Sequence, residues 1–313
     1  MLTVSHVAQL ASNFKKHGGN IADLLVVDTA SGPLLVTSTR EGHSATFSLS
    51  DAATAAQALG RADPPKYGLM LGTPEMSVIT QNGQPRLVWS GFSNGLEFGL
   101  GLSGSGKPSG RVALSDMPAD VVALKVFDLK GGSYMLAGRD GSMDLSLFRL
   151  DGNGRPGLLD RKIAPGGVSD GEFTDIEVVS VSGASYAVTT SALSGTLAVF
   201  QVSPTGLSLR GHIGLDSTIG ISAPREVQGV TTASGSFLVV TGGESDSVSV
   251  FSISAAGAIA LTDHVVDSRL TRFQSATALA TAELGGRAFI FVGGAGGLAE
   301  VGGEASGGVT RSA

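Results

Sequence analysis

Five carboxylates keep a regular place along the chain. Asp23, Glu75, Asp120, Asp175 and Glu226 each stand directly before a short apolar run, and Ser275 takes the sixth such place. Carboxylates that converge repel one another and raise one another's pKa unless cations or hydrogen-bond donors sit among them. Two arrangements relieve that repulsion. In one, the acids form a ring around a hard cation; oxygen ligands suit Ca²⁺, which takes about six to eight of them. In the other, each carboxylate accepts backbone N–H groups from a neighbouring repeat or pairs with an arginine. Repetition favours the second arrangement, because a repeated residue usually has a repeated packing job. Asp23, Glu75, Asp120, Asp175 and Glu226 are therefore the candidate metal ligands, and Ca²⁺ is the one cofactor they suggest.

A second set of candidates lies in polar loops that differ from repeat to repeat, which is where a repeat fold places binding. These supply Arg40, His43, Trp89, Phe92, Arg139 and Asp140. The arginines could pair with the acids, and Trp89 and Phe92 could offer an aromatic surface. Of five histidines, His6, His212 and His264 fall at matching places in outer strands and read as structural; of the other two, His17 and His43, only His43 sits on the candidate face. The chain has no His-Glu-x-x-His, no Gly-x-Ser-x-Gly and no P-loop, so no catalytic residue is assigned and a Ser-His-Asp triad has little to build on.

The elements that must hold these residues show a long period. Phe47, Phe98, Phe148, Phe200 and Phe251 follow one another at steps of 51, 50, 52 and 51 residues. Each belongs to an alternating run of the kind Ser247-Val-Ser-Val-Phe251-Ser-Ile253. A second run precedes each, entered through Ser31-Gly32, Asn82-Gly83, Gly131-Gly132, Ser182-Gly183 and Ser234-Gly235, with a sixth at Gly285-Gly286. Such dipeptides supply the positive φ of hairpin turns. With a strand before each hairpin and one after each Phe run, there are four strands in roughly 50 residues, the unit of a β-propeller blade.

The expected fold is therefore all-β: a six-bladed β-propeller of four-stranded antiparallel blades. The blades fall near 21–63, 72–116, 119–165, 173–216, 225–268 and 273–301. The sixth has Gly302 near its expected Phe and no convincing fourth strand, whereas Leu2–Val7 reads as an orphan fourth strand. Residues 2–8 are thus expected to complete the last blade and close the ring, sparing a bare sheet edge. Residues 302–313 read as a glycine-rich tail, and Ser50–Gly60 as the one short helical turn.

Composition narrows the function classes. The net charge is −6, with 21 Lys plus Arg and no basic cluster, which disfavours nucleic acid as a partner. The absence of cysteine excludes disulfides and thiolate chemistry. No apolar run approaches the ~18 residues of a membrane span, and Met1–Gly19 lacks the basic start of a signal peptide.

The run Val248-Ser-Val-Phe251-Ser-Ile253 with Ala256-Gly257 and Leu261 resembles the repeats of lactonase-like propellers. The opening Leu2-Thr-Val-Ser-His-Val7, Asn13-Phe14-Lys15 and Gly19-Asn20-Ile21-Ala22-Asp23-Leu24-Leu-Val-Val27-Asp28 resembles the propeller region of secreted bacterial RTX-type (hemolysin-type) calcium-binding proteins. That second resemblance implies export without an N-terminal signal, by a type I-like route to the cell exterior, and a calcium-rich setting; a cytoplasmic location stays open. The RTX nonapeptide Gly-Gly-x-Gly-x-Asp is absent and would be expected beyond Ala313, so no family calcium ligand is carried onto this chain.

The leading expectation is a secreted, non-enzymatic binding or display module that recognises carbohydrate or protein through one propeller face, with calcium as the candidate stabilising ion. The alternative is a metal-dependent, lactonase-like hydrolase with its metal at the acidic mouth, acting as a Lewis acid.

Overall fold

The structure, a computed structural model, describes residues 21–29, 32–48, 57–63, 68–103, 105–165, 172–214, 220–232, 234–268, 274–284, 287–294, 297–303 and 309–311. Alternating apolar runs and glycine-bearing turns make strands that pair with their sequence neighbours, and the described residues form six four-stranded sheets. The first sheet is β1 (Ile21–Thr29), β2 (Gly32–Thr39), β3 (Ser44–Ser48) and β4 (Gln57–Ala62). The second is β5 (Met70–Gln81), β6 (Gln84–Phe92), β7 (Phe98–Leu102) and β8 (Pro108–Ala113). The third is β9 (Val121–Leu129), β10 (Gly132–Arg139), β11 (Asp144–Leu150) and β12 (Pro156–Ile163). The fourth is β13 (Asp175–Val181), β14 (Ala184–Ser191), β15 (Thr196–Ser203) and β16 (Gly206–Gly214). The fifth is β17 (Pro224–Thr232), β18 (Gly235–Gly242), β19 (Ser247–Ile253) and β20 (Ile259–Val266). The sixth is β21 (Ala278–Leu284), β22 (Arg287–Gly294), β23 (Gly297–Gly303) and β24 (Val309–Arg311).

The strand order within every sheet is the order of the chain. A tight turn between first and second strands enforces this. At Asn82-Gly83, Lys130-Gly131 and Ser182-Gly183 both central residues have positive φ, the twist-compatible geometry of a two-residue hairpin. No helix long and apolar enough to cross a membrane occurs among the described residues.

Two compact units can be distinguished. One runs up to Val126 and includes Arg149–Gly157; the other comprises Phe127–Phe148 and the chain from Leu158 onward. In the first, Val27, Val36, Met76, Leu87, Trp89, Phe92, Leu100 and Leu102 form a buried cluster. In the second, β13–β15 and β17–β19 supply a core centred on Tyr186, Val188, Val199, Leu238, Val240 and Phe251. The second and third strands carry the core because neighbours cover both their faces. The fourth strands β12, β16 and β20 keep exposed positions, among them Leu158, Ile163, Leu209 and Leu261.

Register refines the phenylalanine period. Phe47, Phe200 and Phe251 lie opposite Leu35, Ala187 and Leu238, each where the pairing to the fourth strand shifts at a bulge. In the second sheet that place belongs to Leu100, opposite Leu87, and not to Phe98. Phe98 opens β7 opposite Ala113, half-buried, with the Arg111 guanidinium stacked 3.0 Å above its ring. In the sixth sheet the corresponding residue is Val301, opposite Ile290, one place before Gly302.

The chain ends differ from the sequence expectation. The fourth strand of the sixth sheet is β24, with Val301 opposite Arg311 and Gly303 opposite Val309, so residues read as a tail supply the strand. Leu2–Val7, expected there, lies outside the described residues. Within Ser50–Gly60, the expected helical turn, Gln57 onward is strand β4 paired to β3. A free third-strand edge next to a segment that can extend favours the ladder over an isolated helical turn.

Phe251 is fully buried, so Phe251→Ala is expected to lower stability by about 3–5 kcal/mol in urea unfolding. Phe98→Ala should cost markedly less; equal losses would contradict the register assigned to the second sheet.

Candidate functional site

Strand pairing fixes which acids are equivalent. Asp23 lies opposite Ser38, Glu75 opposite Ser90 and Asp175 opposite Thr190. Glu226 takes the same place, one residue before Val227, which faces Val240. In the sixth sheet, Thr281 opposite Ile290 makes the counterpart Ala278. In the third, the two-residue turn Lys130-Gly131 joins β9 to β10, and counting six residues back from Leu129, as in the other sheets, gives Ala123. Asp120 and Ser275 therefore stand three residues before the column. They share a left-handed backbone with Ala223, at φ of 55°, 52° and 49°. The sequence alignment erred there because the segments leading into the first strands vary in length, whereas the ladders do not.

The acids of the column tie one sheet to the next. Asp23 accepts the N–H of Met76 on Oδ2 at 2.5 Å and that of Leu24 on Oδ1 at 2.7 Å. Asp175 repeats this with Val227 at 2.8 Å and Ile176 at 2.7 Å. Glu226 accepts the N–H of Leu279 at 2.8 Å. Each recipient is the residue after the next member of the column. Burial pushes Asp23 above the usual carboxylate range, while the N–H groups of Met76 and Leu24 pull it down. Asp120 instead donates its own N–H to the Ser93 carbonyl at 3.1 Å. Both oxygens of Asp23 and of Asp175 thus accept backbone donors, the second of the two arrangements that relieve carboxylate repulsion. Among the described residues, no three histidine, aspartate or glutamate side chains group to hold a metal.

The loop candidates separate. Trp89 and Phe92 are buried, 1% and 5% exposed, in the core of the first unit. They offer no aromatic surface: both lie near the end of β6 within that buried cluster, and the Trp89 indole N–H donates to Ser38 Oγ of β2 at 2.9 Å. His43 Nδ1 lies 3.2 Å from Asp63 Oδ1. The turn that carries His43 is fixed by its N–H on Thr39 Oγ1 at 3.1 Å. Arg40 is exposed in the same turn, and Arg139 and Asp140 are exposed beyond β10.

In the second unit, Asp140 is part of a constellation. Glu172, which precedes β13, lies close enough to Asp140 and to Arg225, at the start of β17, for both to act on its carboxyl. Burial first, then the Asp140 carboxyl, push Glu172 above the usual carboxylate range; Arg225 pulls it partly back. A hydroxyl bridge locks the two supporting segments together. Thr174 Oγ1 donates to the Pro224 carbonyl at 2.8 Å and pairs with Thr190 Oγ1 at 2.9 Å, which is itself 3.3 Å from the Arg225 carbonyl. Beside Arg225, Gly243 leaves room for the arginine side chain, and Glu244 accepts from Ser222 Oγ at 3.1 Å. Two neighbouring carboxyls beside a guanidinium can take a proton, give one, and stabilise developing negative charge.

Asp140 was legible from its variable loop. Glu172 and Arg225 were not, because neither carries a motif. The available signal was place: both lie in segments leading into first strands, as the acid column does.

No family model matches the chain, and no curated protein matches it at a significant level. Solved structures do. A candidate 6-phosphogluconolactonase from Bacteroides uniformis aligns at TM-score 0.69 and 13% identity, over 93% of this chain and 83% of that one. The periplasmic gluconolactonase PpgL of Pseudomonas aeruginosa aligns at 0.64 and 17%, over 92% and 83%. BBS1N, solved in complex with ARL6DN, aligns at 0.53 and 14%, over 85% and 73%. At these identities the likeness shows the fold: an all-β chain of four-stranded antiparallel sheets of the lactonase-like β-propeller kind. It agrees with the lactonase-like resemblance of the third-strand repeats and lends nothing to the RTX-type one.

Asp175→Ala strips the Val227 N–H of its acceptor and is expected to cost about 1–3 kcal/mol in urea unfolding, with Asp175→Asn milder because one oxygen remains. Thermal melts in EDTA and in millimolar Ca²⁺ should superimpose. A calcium-dependent rise in Tm that Asp175→Asn abolishes would restore the column as a metal site.

Proposed function

We propose that the protein hydrolyses a lactone, with Asp140, Glu172 and Arg225 as the reacting constellation. The observation that carries this reading is a partly buried carboxyl, Glu172, flanked by the Asp140 carboxyl and the Arg225 guanidinium; the lactonase-like fold supports it. The proton that the leaving group needs is held on Glu172, whose affinity for it is raised. The Asp140 carboxylate accepts a proton from water as the water oxygen bonds to the lactone carbonyl carbon. Arg225 donates to the carbonyl oxygen as it becomes negative. When the tetrahedral intermediate collapses, the ring C–O bond breaks and the leaving oxygen takes the proton of Glu172. The product is the open hydroxy acid, and no step runs through a metal.

The test is hydrolysis of glucono-δ-lactone, followed by acid release against the spontaneous rate. Glu172→Gln and Asp140→Asn should each lower kcat by about 10²–10⁴-fold. The pH profile should be bell-shaped, with its falling limb above the ordinary glutamate range, because Glu172 must stay protonated; Glu172→Gln removes that limb. Unchanged turnover in both variants would sink the reading.

A binding module on the same fold is the second reading, and BBS1N in complex with ARL6DN supports it. Leu193, 62% exposed in the loop between β14 and β15, would then be part of the contact surface. It is favoured if no lactone tried is hydrolysed above background and Leu193→Ser weakens retention on a carbohydrate array.

A further inference from the structure

The third sheet departs from the small hydroxyls opposite the acid column, as the sixth does with Gly293 opposite Ala278. Ser38, Ser90 and Thr190 face Asp23, Glu75 and Asp175. The corresponding residue of β10, counted six on from Gly132 after the Lys130-Gly131 turn, is Gly138. The missing side chain is filled from the next segment. The Phe173 ring lies over Gly138, so a methyl there would overlap it, and Phe173 is 2% exposed. Phe173 stands between Glu172, which reaches Asp140, and Thr174, which bridges to Pro224 and Thr190. Asp140 follows Gly138 by two residues, so the glycine sets both the floor under Phe173 and the path to Asp140.

We propose that Phe173, seated on Gly138, is a positioning residue that holds the Glu172 carboxyl against Asp140. This rests on the assignment of that pair as the reacting groups, although the geometry stands apart from any substrate. Phe173 touches no reacting atom; it acts by fixing the segment on which Glu172 is carried. Asp140, from the turn after β10, and Arg225, from the start of β17, are the charged groups acting on Glu172. Displacing the ring should therefore separate Glu172 from Asp140 first.

The experiment is a carboxyl ¹³C NMR titration of the full chain, with the Glu172 resonance identified by its loss in Glu172→Gln. In the wild type, Glu172 should titrate above the ordinary glutamate range. In Gly138→Ala it should lose at least half of that displacement, as it does in Asp140→Asn, and Phe173→Leu should move it the same way by less. If Gly138→Ala does not fold, Phe173→Leu decides. An unmoved Glu172 titration in folded Gly138→Ala or Phe173→Leu, with only Tm lowered, makes Phe173 a core residue and overturns the proposal. The readout needs no turnover. A chain that hydrolyses no lactone yet shows these shifts would fail the proposed function and keep the positioning role; turnover with unmoved titrations would do the reverse.

Discussion

The fold depends on a carboxylate that closes a backbone N–H in the neighbouring sheet. A four-stranded meander satisfies its own ladder but leaves the donors at the start of its first strand to be met from elsewhere, and a buried N–H without an acceptor is costly. Asp23, Asp175 and Glu226 meet that need for Met76, Val227 and Leu279. The separations are 53, 52 and 53 residues, the length of one repeat. The chain period and the hydrogen-bond period are therefore one constraint. An insertion within a sheet must go into a loop, or the acid no longer meets its partner. This also explains why acids crowd one edge of the sheets: their charge is answered by backbone dipoles.

Much of this was legible in the sequence. Alternating runs and glycine turns mark the strands, and the spacing of Phe200 and Phe251 marks equivalent third strands because both fill the same inner place. Other parts were not legible, for physical reasons. Phe98 falls on the beat by two residues' accident, since a period counted on one residue type cannot see where a bulge takes up a residue. Asp120 and Ser275 matched the acid column for a similar reason: residue type before an apolar run does not reveal register. Trp89 and Phe92 read as loop aromatics, yet β6 runs on to Phe92 and turns both rings inward.

The candidate site lies where the repeat is least regular. In the second unit, Gly138 stands where the first, second and fourth sheets place a small hydroxyl and takes the Phe173 ring over it, Glu172 precedes the acid column, and Arg225 sits beside a glycine that leaves it space. Regular positions do the same packing job in each sheet and are poor places for chemistry. Departures free backbone and volume for side chains that answer to each other rather than to the ladder. The Asp140–Glu172 pair fits that description, as does the hydroxyl bridge of Thr174 and Thr190, which couples its segment to that of Arg225.

The central claim is that this loop cluster of the second unit meets the substrate. Amide chemical-shift mapping with gluconate, the open hydroxy acid, tests it most directly. The account predicts saturable shifts concentrated at residues 139–141, 172–174 and 224–226. Saturable shifts confined to the turn of Arg40 and His43, or no shift at these three segments at saturating gluconate, would contradict it.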